Sequence, residues 1–210
     1  MIFMIRKLII LSLLAPAALF AQTKYENNFE QAKVGAVPED FLVLDGAFAV
    51  KEVDGNKVLE LPGAPLDTFG LLFGPNEKEN VAVSARIFGA SKGRRYSDFG
   101  VGLNGVGGYK LRVSPGKKQL ELYRGDDLKK SVPLNWQPNK WTHLKLQVAK
   151  SSEQKWEVQG KIWQEGNEPS APAIGFTDSA APTSGRASVS AMPYSGLPIL
   201  FDDFVVSAVK

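Results

Sequence analysis

From residue 81 onward, apolar and polar side chains alternate with a period of two in short runs, and Gly, Pro, Asn or Asp closes each run. In residues 81–87 (VAVSARI) the odd positions are apolar and the even ones small or charged, which predicts a strand with one face on a core and the other in water. The same alternation recurs at Phe99, Val101 and Leu103, at Tyr109, Leu111 and Val113, and at Leu120 and Leu122. It returns at Leu144, Leu146 and Val148, at Trp156, Val158 and Ile162, and at Ala187, Val189 and Ala191. Residues 41–44, 47–53, 57–61 and 69–73 add earlier strands. The turn signals Asn104-Gly105, Pro115-Gly116, Gly125-Asp126-Asp127, Pro138-Asn139 and Ser184-Gly185 separate neighbouring runs, as antiparallel hairpins require. The pattern predicts an all-β chain of roughly a dozen strands, enough for a two-sheet antiparallel jelly-roll sandwich with little helix. The last run, residues 199–206, is apolar on both faces apart from Asp202 and Asp203, and is expected at the centre of a sheet, covered on both sides. Residues 166–182 read as a loop holding one short strand at 173–177.

The first residues break this pattern. Arg6 and Lys7 precede an apolar run over 8–20, followed by Ala21 and Gln22, the order of a secretory signal peptide cleaved after Ala21. The run is shorter than the roughly 20 residues a membrane span needs, so no integral span is expected in the mature chain. No Cys follows it to carry a lipid. Residues 1–21 are therefore expected to be a leader and residues 22–210 a single domain, placed in the periplasm or outside the cell. The charge picture changes with it. The full chain holds 25 Lys and Arg against 22 Asp and Glu, a formal charge of +3. Without Arg6 and Lys7 the two signs nearly balance, so the electrostatic footprint of a nucleic-acid partner is absent. The lack of Cys excludes disulfides, a thiol nucleophile and Cys-ligated zinc, so stability must come from buried apolar area.

One ordered set of features lies in the closing third: residues 139–146 (NKWTHLKL), residues 160–169 (GKIWQEGNEP), Asp178, Ser184-Gly185-Arg186-Ala187 and residues 201–206 (FDDFVV). This set resembles the concanavalin A-like, laminin G-like domains of exported bacterial proteins. Asn28-Phe29-Glu30, residues 46–50 and residues 54–59 look like opening strands of the same superfamily. The resemblance implies a jelly-roll sandwich. It leaves function open among lectins, adhesive modules, hydrolases and lyases.

The candidate chemistry is sparse. Asp202 and Asp203 are neighbours on a strand, so their side chains are expected on opposite faces, unable to act as a catalytic pair. They read first as carboxylates paired with a basic residue or backbone amides, and second as ligands of a structural Ca²⁺ involving Asp202 and Glu30. No other cofactor is expected. His143, the sole histidine, shares the polar face of its strand with Trp141 and Lys145 and has no second His or Cys for a metal site. Trp141 and Trp163 fall on outward positions, where rings can stack on sugars or lie beneath covering loops, and Trp156 on a core position. The connection from Ser91 to Asp98 carries Arg94, Arg95, Tyr96 and Asp98, and the outward positions of nearby strands carry Arg86, Lys110, Arg112 and Tyr123, with Gly100 and Gly102 keeping the surface between them low. Those eight residues are the expected ligand-binding set, for an anionic or neutral glycan. A solvated charged face is the plainer account of them. Arg124-Gly125-Asp126 spells an adhesion tripeptide and is also ordinary hairpin chemistry. The expectation is an exported, non-catalytic carbohydrate-binding module with no catalytic residue assigned. The alternatives are a glycosidase or polysaccharide lyase on the same fold, and a protein-binding surface-assembly domain. Oligomeric state is open.

Overall fold

The computed structural model describes residues 22–64 and 67–209, so the expected leader, residues 1–21, lies outside the described residues. In chain order the strands are β1 (Thr23–Asn27), β2 (Leu42–Asp45), β3 (Ala49–Val53), β4 (Asn56–Leu61), β5 (Phe69–Glu77), β6 (Val81–Gly89), β7 (Ser91–Lys92), β8 (Arg95–Tyr96) and β9 (Asp98–Leu103). They continue as β10 (Tyr109–Ser114), β11 (Gln119–Arg124), β12 (Asp127–Pro133), β13 (Lys140–Ser152), β14 (Lys155–Trp163), β15 (Ile174–Asp178), β16 (Gly185–Met192) and β17 (Ile199–Ala208). One sheet runs β15-β14-β13-β6-β17-β4-β3, with β1 added along β17, and the other runs β12-β11-β10-β9-β16-β5-β2. Every pairing is antiparallel, and the two sheets face each other as a jelly-roll sandwich that does not close into a barrel. Among the described residues the helical content is a 3₁₀ turn at Pro115–Lys117, and no helix is long and apolar enough to cross a membrane.

The alternation read from sequence is the burial pattern of the strands. In β6, Val81, Val83, Ala85 and Ile87 are buried while Ser84 and Arg86 face outward, and β13 repeats this with Thr142, Leu144, Leu146 and Val148 inward. Inward residues of both sheets form one cluster, whose densest part is aromatic. Phe204 lies 4.4 Å from Phe73 and 5.1 Å from Phe29 between ring centroids, with Phe41 and Phe201 around them. Trp136 and Trp156 are also buried, and each donates its indole N–H, to Thr142 Oγ1 at 2.9 Å and Glu79 Oε2 at 2.6 Å respectively.

Three elements depart from the sequence reading. Asn28-Phe29-Glu30 is a turn; the opening strand is the preceding Thr23–Asn27. Phe29 adopts φ 62°, with its N–H bonded to Asn27 Oδ1 at 2.9 Å, which swings its ring into the core. β12 is a largely exposed edge strand with Lys129 and Lys130, so it carries no alternation to read. β17 sits centrally between β6 and β4, but its outer face is covered only in part, at Leu200 and Val205.

The expectation that Asp202 and Asp203 point to opposite faces is corrected, while their pairing with a basic residue is what the structure holds. A β-bulge interrupts the β17–β6 register between Asp202 and Val205, with Asp203 at φ 51°. Phe201 and Phe204 therefore both point inward, and both carboxylates come to the same side, where Arg86 meets Asp202 at 2.5 Å and Asp203 at 2.8 Å. Period-two parity assumes an unbroken strand, and the extra residue cancels it.

Phe204→Ala removes a fully buried ring and is expected to cost about 3–5 kcal/mol in urea unfolding. Leu128→Ala, at an exposed edge position, should stay within about 0.5 kcal/mol.

Candidate functional site

The outer face of the second sheet holds a groove of about 460 Å³. Strand register explains why it is recessed. Arg112 on β10 lies opposite Gly100 on β9, Gly100 opposite Ser190 on β16, and Ser190 opposite Gly70 on β5. The next row runs Lys110, Gly102, Ser188, Leu72. Residues that face outward in the middle of the sheet are thus glycine or serine, while longer side chains stand on either side. A Cβ at Gly100 would lie 2.3 Å from the Leu111 carbonyl oxygen, so the backbones themselves hold that position to glycine. One wall carries Lys110, Arg112 and Tyr123, the other Leu44, Asp45 and Leu72, the cross-strand pair Asp98 and Met192 lies at one end, and Val106 and Asp126 also line the groove.

The polar wall is organised around a buried carboxylate. Glu121 is 1% exposed, and its Oε2 accepts from Arg112 Nε at 2.8 Å, Arg112 Nη2 at 2.7 Å and Tyr123 Oη at 2.9 Å. Lys117 donates to its Oε1 at 3.1 Å. The Arg112 guanidinium also stacks over the Tyr123 ring, 4.5 Å from its centroid. Burial works to raise the Glu121 pKa, but the bonds from Arg112, Tyr123 and Lys117 outweigh it and hold the carboxyl below its usual range. Tyr123 is pushed up to about 12 by burial and by its bond to Glu121. Asp98 is raised, chiefly by burial, against the opposing pull of a 3.0 Å bond from Ser114 Oγ and of Arg112.

Of the eight expected ligand-binding residues, Asp98, Lys110, Arg112 and Tyr123 come together here. Arg86 does not: it faces outward, but from the other sheet, where it is committed to Asp202 and Asp203 and stacks 4.6 Å over Trp141. Outward parity is legible in a sequence, and sheet membership is not. Arg94, Arg95 and Tyr96 belong to the small β7–β8 hairpin outside the groove lining; Tyr96 packs on the core edge and Arg95 lies 5.7 Å over Tyr194. Gly70, Ser188, Ser190, Leu44 and the buried Glu121 were not singled out from sequence. The serines show outward parity in the run Ala187, Val189, Ala191, but only strand pairing puts them beside Gly100 and Gly102.

The remaining candidates are otherwise engaged. Asp202 accepts from Asn56 and Arg86, and Glu30 accepts from the Lys57 N–H at 3.0 Å. Among the described residues no group of three or more His, Asp or Glu converges to hold a metal ion. His143 stacks on Trp163 with centroids 5.0 Å apart, and burial followed by Arg86 lowers its pKa. Arg124 of the tripeptide is tied to Asp178 at 2.6 Å and to the Ala180 and Ala181 carbonyls. A larger hollow, about 790 Å³, lies between residues 26–39 and β17. There Asn27 and Asn28 are turned onto the Phe29 and Glu30 N–H groups, whereas the groove is built by side chains from six paired strands.

No protein-family model matches the chain, and no curated relative matches it. Among solved structures, the carbohydrate-binding module CBM66 from Bacillus subtilis superposes with a TM-score of 0.55 at 12% identity, over 80% of this chain and 96% of that one. An alginate lyase from Aplysia kurodai gives 0.57 at 11% identity, over 90% and 100%. Domain 4 of AbnA, an extracellular arabinanase from Geobacillus stearothermophilus solved with arabinotriose, gives 0.52 at 13%, over 90% and 93%. At these identities the likeness is one of fold, the two-sheet antiparallel jelly-roll sandwich.

Two stability effects follow from the polar wall. Arg112→Met leaves Glu121 buried with Lys117 and Tyr123 alone, and should cost about 2–4 kcal/mol in urea unfolding at neutral pH. Because Glu121 is lowered in the folded state, that contribution is present above its ordinary value of 4.5 and lost as the pH falls through the folded value, so wild type and variant should converge in acid. Asp98 has the opposite sign. Its raised pKa means stability is lost as pH rises from its ordinary 3.8 through the folded value, so Asp98→Asn should melt above wild type at neutral pH and match it in acid.

Proposed function

We propose that residues 22–210 act as one exported, non-catalytic carbohydrate-binding module, and that the groove on the second sheet receives the glycan. The observation that carries this reading is the row of Gly100, Ser190 and Gly70, which runs from Arg112 at one side to Asp45 at the other with Leu44 and Leu72 beside it. A sugar presents hydroxyls at its rim and C–H groups on its faces, and a trough with serines along its floor, Leu44 and Leu72 on one side and Met192 at one end can meet both. The names of the solved structures of this fold, a carbohydrate-binding module and an arabinanase domain holding arabinotriose among them, agree with it. The order at the N-terminus, Arg6 and Lys7 before an apolar run and Ala21, supports export.

A binding role fits this wall better than acid–base chemistry. Asp98 is raised and Glu121 lowered, the kind of divergence a general acid and its partner show. Glu121, however, is sealed under Arg112 and Tyr123 and offers a substrate no free oxygen edge.

Electrophoresis through gels containing polysaccharides tests the reading. The mature chain should be retarded by at least one polymer and leave it uncut in a reducing-end assay. Ser190→Tyr, a residue suited to strands that fills the trough, should weaken retention by about tenfold or more with an unchanged melt. Release of reducing ends or unsaturated products would replace this reading with the enzymatic one. Full retention by Ser190→Tyr would move the site away from the groove.

A further inference from the structure

We infer that the glycan this groove takes is uncharged, an inference that rests on the groove being the binding site. Of the residues that suggest anion binding in the sequence, Arg112 is already paired inside the groove and Lys110 has a carboxylate beside it. Arg112 turns Nε and Nη2 together onto one oxygen of Glu121, so that edge of the guanidinium is occupied and its face lies on Tyr123, which leaves Nη1 to meet a ligand singly and without a two-pronged grip. Asp98 stands 3.9 Å from the same Nε. Lys110 is 3.5 Å from Asp126, and Lys117 is bound to Glu121. A carboxylate gripped by two parallel bonds would have to take Arg112 from Glu121, leaving a carboxylate that is 1% exposed without its main partner.

The balance of the lining points the same way. Asp45, Asp98 and Asp126 face the groove against Lys110 and Arg112. An anionic polymer would therefore approach more carboxylates than cations. A neutral sugar meets a complementary set: its hydroxyl protons find the oxygens of Asp45, Asp98 and Asp126, and its oxygens find Lys110 and the Ser188 and Ser190 hydroxyls. Arginine and lysine here act in holding the wall together, and the aspartates select against charge.

The test uses the same gels, at about 20 mM salt so that surface charge is weakly screened. Neutral arabinan, galactan, mannan and mixed-linkage glucan are compared with polygalacturonate, alginate and a sulfated galactan. At least one neutral polymer should retard the wild type and no anionic polymer should. Asp45→Asn combined with Asp126→Asn should then be retarded by an anionic polymer that leaves the wild type unretarded, as two carboxylates are removed from around Lys110. Retention on an anionic polymer that Ser190→Tyr releases would overturn the uncharged-ligand inference and leave the groove standing as the site. A double variant that gains nothing would also overturn it, since charge would not then be the selecting force. Retention by no polymer, or retention indifferent to Ser190→Tyr, would overturn the groove reading and this inference with it.

Discussion

The placement of Asp202 under Arg86 is the constraint on which the first sheet depends. β17 pairs with β6 along its length, with β4 through residues 199–201 and with β1 through Phe204 to Ser207, so it is the strand that joins the opening of the chain to its end. The bulge divides those two pairings. It also lets Phe201 and Phe204 enter the core from positions three apart, where the latter closes a ring cluster with Phe29, Phe41 and Phe73. An inserted residue in a central strand leaves two carboxylates side by side, and without a cation there they would repel. Arg86 reaches both, with Asn56 completing the coordination of Asp202. Core and outer face are thus fixed by one irregularity.

The same solution is repeated elsewhere. Arg86 lies between Asp202 and the Trp141 ring, Arg112 between Glu121 and Tyr123, and Arg124 between Asp178 and Tyr109. In each case a carboxylate withdrawn from water is matched by a guanidinium whose flat face is covered by an aromatic ring. These arginines belong to the framework. Each is paired with a carboxylate of the protein itself.

How far the sequence could be read follows from what period two does and does not encode. It gives inward and outward, and so the core strands from Val81 to Val206 and the low floor at Gly100 and Gly102 were legible, as was the short strand near Ile174. It does not give sheet membership, which is why Arg86 was grouped with Lys110 and Arg112 although it lies on the opposite sheet. It fails where a bulge shifts parity, at Asp203, and where an edge strand has no buried face, at β12. Half of the groove was invisible for another reason. Gly70 and Ser190 are 120 positions apart in the chain and meet only through the β5–β16 pairing, a long-range contact no local pattern announces.

Gly100 and Gly102 are themselves weak evidence of a ligand, since a Cβ at either would strike the Leu111 carbonyl or the Ser188 hydroxyl. The sheet would require them whether or not anything bound. Ser188 and Ser190 are under less pressure, being half-buried and outward, whereas a Cβ at Gly70 would come 3.1 Å from the Val189 carbonyl oxygen. An outer face selected for stability alone would place β-branched or aromatic residues there, where cross-strand pairs contribute about 0.2–1 kcal/mol each. Small residues on adjacent strands forgo that contribution over the same stretch where the neighbouring strands raise two polar and apolar walls. The stability is supplied instead by the aromatic core beneath β17, and the trough is left open. A surface that gives up packing in one continuous row, and not at scattered positions, is the ground on which the trough is proposed as the binding site.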